Sequence, residues 1–79
     1  MNNRKVDYMD LQDLAAKYSY VITYNNEDGT FYAQVEEIPS IRVFSHVNAG
    51  DAMAIATDMV VYYLEELAYA GEALPTPLY

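Results

Sequence analysis

Seventy-nine residues make one domain, small enough that only roughly 60% of the unfolded chain's surface can be buried. A hydrophobic fraction of 53%, inflated by nine Tyr, marks a folding sequence; zero Cys excludes disulfide staples and thiolate metal sites. Twelve acidic residues against four basic ones give a net charge of −8, a surface that repels phosphate and complements a basic partner.

Residues 1–7 read as a polar tail without the apolar stretch of a signal peptide, and no run approaches the roughly 20 apolar residues of a membrane span. With the missing cysteines, this leads to the expectation of a cytoplasmic protein with no membrane contact. Over residues 8–17, Leu11, Leu14 and Ala15 fall at i, i+3, i+4 spacing with Asp early and Lys late, which predicts a short helix. Residues 18–24 are dense in aromatic and β-branched side chains and predict a strand. A turn follows at 25–30, where Asp28-Gly29 supplies the positive φ of a hairpin.

Residues 31–36 alternate, with Phe31, Ala33 and Val35 inward and Tyr32, Gln34 and Glu36 outward. Ile38-Pro39-Ser40 breaks that strand, and a third is predicted over 41–47 with Ile41, Val43 and Val47 on one face. Strands joined this tightly make an antiparallel meander. Asn48 caps a helix that runs to about Ala70, Asp51 takes the capping-box position, and Gly71, Pro75 and Pro77 stop it. At about 100° per residue, Ala52, Met53, Ala56, Met59, Val60, Tyr63, Leu64 and Leu67 share the face that packs on the sheet. A stripe of this kind is core, so no cofactor is inferred.

The expected fold class is therefore α+β: a three-stranded antiparallel meander carrying one long C-terminal helix, with a short N-terminal helix, in a single domain over 8–79. The outer face of the long helix is less ordinary. Asp51, Asp58, Glu65 and Glu72 recur every seven residues, and Ile55, Tyr62 and Tyr69 repeat with the same period beside them. A helix of about 22 residues spans roughly 33 Å, whereas strands of about seven residues span roughly 23 Å. The helix should overhang its sheet and be covered there by the N-terminal helix or by another chain. These seven residues are the candidate partner-binding set.

The order strand, Asp-Gly turn, strand ending in Glu37-Ile38-Pro39, third strand, Ala-rich helix with Ala52-Met53 near its start, then Gly71-Glu72-Ala73-Leu74-Pro75-Thr76-Pro77, resembles the HicB antitoxin family from about Tyr18 to Pro77. The resemblance implies a β-β-β-α core like a truncated ribonuclease H fold, often finished by a short fourth strand near the C-terminus. It also implies a partner, a basic HicA-type toxin that cleaves mRNA and is neutralised when the antitoxin covers its active site. The chain departs from the family pattern at Ser40 and Ser45, where glycines are usual, and lacks the C-terminal DNA-binding extension of many members, so promoter contact is not expected.

Catalysis is not expected either. Residues 18–24 and 41–47 hold no carboxylate, adjacent Glu36 and Glu37 would point to opposite strand faces, and His46 is the sole histidine, with no second ligand or triad partner. Tyr18, Tyr20, Tyr24 and Tyr32 lack the positive charge of a base-stacking groove and read as sheet packing. Arg42 is expected to pair with Glu36 or Glu37 at the surface. Two functions follow: an antitoxin that occludes a basic toxin, or a HicB-like module that only self-associates, in either case as a dimer or higher even oligomer.

Overall fold

The computed structural model describes residues 8–79 and gives α1 (Tyr8–Ala15), β1 (Tyr20–Asn25), β2 (Thr30–Val35), β3 (Ile38–Ser45) and α2 (Ala49–Ala70). The tail expected over 1–7 lies outside the described residues. The three strands form an antiparallel sheet in the order β1-β2-β3, and α2 packs across one face of it. This is the α+β meander with a C-terminal helix that the periodicities predict.

The first hairpin closes where Gly29 takes φ 71° and donates its N–H to the Asn25 carbonyl at 2.9 Å. Asp28 braces the turn by accepting from the Thr30 amide, the Thr30 hydroxyl and the Tyr32 hydroxyl. Those bonds, led by the Thr30 hydroxyl, hold the Asp28 carboxyl below its usual range.

The second hairpin departs from expectation. Glu36 and Glu37 form the turn, and β3 begins at Ile38 rather than after a break at 38–40. Gln34 pairs with Arg42 but Val35 pairs with Ile38, so Pro39, Ser40 and Ile41 bulge out of the ladder. Pro39 has no N–H to give, which makes the bulge its natural place, and Ile41 turns back into the core. At the far end, Val47 is not inward: it is 69% exposed beyond the strand, and Ser45 fills the inward position. The Ser45 hydroxyl donates to the Asp51 carboxylate at 2.8 Å and accepts from the Val47 amide, which ends β3 and ties it to the start of α2.

Both ends of α2 follow local chemistry. The Asn48 side chain accepts from the Asp51 amide at 2.7 Å, and Gly71, at φ 72°, closes the C-terminus as Gly71 and Glu72 donate to the Ala68 and Leu67 carbonyls. Between them the helix makes two different contacts. Ala52 and Ala56 are small enough to let it approach Ala33 and Val43 of the sheet. Further along, Val60, Val61 and Leu64 join Leu11 and Ala15 of α1 and Val35, Ile38 and Ile41 of the sheet. α1 thus packs on α2 alongside the sheet.

That second contact corrects the expected core stripe. Val61 is buried and Met59 is 44% exposed, because α1 docks on a flank of α2 that a single sheet-facing stripe ignores. Beyond α2 the chain runs as an anchored tail and not as a fourth strand. Pro75 and Pro77 remove two backbone donors, and side chains supply the fastening instead. The Tyr18 hydroxyl donates to the Pro75 carbonyl at 2.7 Å, the Leu78 amide donates to the Glu37 carboxylate at 2.9 Å, and Leu74 packs on the larger core cluster.

Candidate partner-binding face of the long helix

Helical spacing carries most of the predicted set to one outer strip of α2, and its members have different local roles. Asp51 is half-buried and already bonded to Ser45, so it serves the junction of β3 and α2. Glu72 lies past the C-cap, where its amide completes the helix end, and it is no longer on the helix face. Ile55, Tyr62 and Tyr69 are exposed, Tyr62 at 70% and Tyr69 at 93%, with Asp58 exposed and Glu65 half-buried beside them. The structure therefore gathers five of the seven on the middle and end of α2 and sets Asp51 and Glu72 to structural work at its two termini.

Two residues extend this face beyond the predicted set. Met59 stands four residues after Ile55 and three before Tyr62, so with Ile55, Tyr62 and Tyr69 it widens the exposed apolar row. Its spacing from Ile55 and Tyr62 was the available signal, hidden because Met59 also fits the edge of the core stripe. Val61 forms part of a groove of about 380 Å³ that is lined, among the described residues, by Asp58, Val61, Tyr62 and Glu65. Only the docking of α1 explains Val61, and no spacing within α2 announces it.

Among the described residues, the sheet's other face is also uncovered, with Phe44 55% exposed. Tyr32 and Phe44 meet edge-to-face with centroids 4.8 Å apart, and the Arg42 guanidinium lies 5.7 Å from the Tyr32 centroid. The expected pairing of Arg42 with Glu36 or Glu37 gives way to this stacking, and the Glu37 carboxylate instead accepts from the Ser19 amide and hydroxyl and from the Leu78 amide. Burial alone pushes the Glu37 carboxyl up, but the backbone bonds from Leu78 and Ser19 outweigh it and leave it below its usual value. Glu36 and Glu37 sit in a turn, not on opposite strand faces.

The four tyrosines divide between core and sheet. Burial, reinforced by the Glu37 charge, raises the Tyr18 phenol to about 12. Tyr20, also raised by burial, donates to the Ala15 carbonyl. Tyr24 packs on Phe31, and Tyr32 packs on Phe44. His46 is exposed just after β3, and among the described residues no three or more His, Asp or Glu side chains are grouped to hold a metal ion. Among those same residues no helix is long and apolar enough to cross a membrane.

Comparison with protein-family models, with curated proteins and with solved structures finds no match to this chain.

Proposed function

We propose that this chain is a small, non-enzymatic, cytoplasmic binding protein of the HicB antitoxin type, which neutralises a basic HicA-type mRNA-cleaving toxin by covering its active site. The observation that carries the reading is the outer face of α2. The helix has spent its inner face on the sheet and one flank on α1, yet Ile55, Met59, Tyr62 and Tyr69 still stand in water beside Asp58 and Glu65. An exposed apolar row rimmed by charge of one sign is the make-up of a docking surface for a partner of the opposite sign. The net charge of −8 extends the same preference over the whole molecule. No cofactor is needed for occlusion.

The test is co-expression with the product of an adjacent gene encoding a basic protein of about 60 to 80 residues, the size of a small single domain. Growth arrested by the basic protein alone should recover in the presence of this chain, and the two should co-purify. If no neighbouring protein is toxic and none co-purifies, the antitoxin reading fails.

The exposure of Tyr62 and Tyr69 favours one other reading, a homodimer or higher even oligomer built on the same row. Analytical ultracentrifugation separates the two: a species of only 9.0 kDa at micromolar concentration argues against self-association. A larger species should dissociate on Tyr62→Lys with Tyr69→Lys while helical circular dichroism persists.

A further inference from the structure

The groove on α2 has a chemistry narrower than general acidity. Asp58, Val61, Tyr62 and Glu65 stand at i, i+3, i+4 and i+7, one strip of the helix. Val61, 4% exposed, is its apolar floor and belongs to the core cluster that includes Leu11 and Ala15 of α1. Tyr62 is a largely exposed aromatic wall. Asp58 and Glu65 stand two helical turns apart, a rise of about 10 Å, and place a carboxylate toward each end. The volume of about 380 Å³ admits one long side chain.

Among the described residues, an apolar floor at Val61, a ring face at Tyr62 and a carboxylate at either end complement a group that is planar, cationic and carried on an apolar stem. We infer that this groove seats an arginine side chain presented by the partner protein, with its methylenes on Val61, its guanidinium over the Tyr62 ring and its N–H fork turned to Asp58 or Glu65. Lysine fits less well, because a compact ammonium holds its hydration shell and, although it can approach a ring face, cannot lie flat on it or fork to a carboxylate. An apolar side chain would desolvate two carboxylates without compensation, and an anion is repelled. The chain's own Arg42 is engaged on the opposite face of the sheet, over Tyr32. The inference rests on α2 being the partner-binding face, but its test does not require a toxin.

The experiment is a titration of the full-length, ¹⁵N-labelled protein with the blocked tripeptide acetyl-Gly-Arg-Gly-amide, followed by amide shifts, with acetyl-Gly-Lys-Gly-amide as the control. The arginine peptide should shift amides concentrated over residues 58–65, and the lysine peptide should bind about two- to fivefold more weakly, because it keeps an attraction to the ring but lacks the flat, forked guanidinium. Tyr62→Leu and Glu65→Gln should each weaken the arginine peptide while the remaining spectrum stays folded. Equal binding of the two peptides overturns the inference, as do shifts spread over distant carboxylates such as Asp10, Glu27 and Glu72 or no shifts over 58–65. Arginine binding here in a chain that captures no toxin removes the antitoxin reading and leaves the groove. A toxin complex that is indifferent to Tyr62→Leu and Glu65→Gln removes the groove and leaves the antitoxin.

Discussion

The Tyr18 phenol, buried in the larger core cluster, donates to the Pro75 carbonyl across 57 positions of sequence. Its pKa rises from 10.0 to about 12 in the fold, so between those values the folded state keeps a proton that the unfolded state has lost. Stability therefore falls as pH climbs through that window and is unaffected by this group below pH 10. Tyr18→Phe should cost about 1 kcal/mol at neutral pH through the lost hydrogen bond, yet show a flatter decline above pH 10 in urea unfolding. The caps behave more simply. Asn48, Gly29 and Gly71 were legible in the sequence because their chemistry is local, each acting within a few residues of itself. Tyr18, read as the start of a strand, and Glu37, read with Glu36 as one of two possible surface partners for Arg42, were not, because their hydrogen-bond partners lie far along the chain.

Among the elements, α1 decides how α2 is used. Leu11, Ala15, Val60, Val61 and Leu64 belong to one buried cluster, and Leu11 is the larger of the two α1 side chains described there. Leu11→Ala should destabilise the domain by about 2–5 kcal/mol, a large part of what a domain this size has. Hydrogen exchange should show α1 losing protection before β2. The tail is fastened by fewer contacts. Glu37 joins Ser19 of the α1–β1 link to Leu78, and its carboxyl is held low in the fold. Its contribution is therefore present above the unfolded carboxyl value of about 4.3 and is lost as pH falls through the lower folded value. Glu37→Gln should abolish that acid-labile part and speed exchange at the Leu78 amide at neutral pH. Element type was readable throughout from period and turn chemistry. The bulge and the swap of Val61 for Met59 were not, since each depends on which second element arrives.

For the molecule as a whole, charge acts before contact. Asp58 and Glu65 lie on the exposed row in a chain of net charge −8, so they should steer a basic partner mainly by raising its association rate. Reversing both to Lys should slow association more than it speeds dissociation. The difference should shrink with salt, as the Debye length falls from about 10 Å at 0.1 M to about 3 Å at 1 M. The heptad spacing of acids and rings made this face legible, while the groove needed the third dimension. The residues looped out of β3 have a different consequence, for how copies of the chain could join sheets. Only Arg42 to Ser45 remain straight along that edge, and Pro39 withholds an N–H from any incoming strand. The outer edge of β1, Tyr20–Asn25, is continuous. A strand arriving at the β3 edge would find four ladder residues and no donor at Pro39, whereas β1 presents an unbroken row of backbone groups.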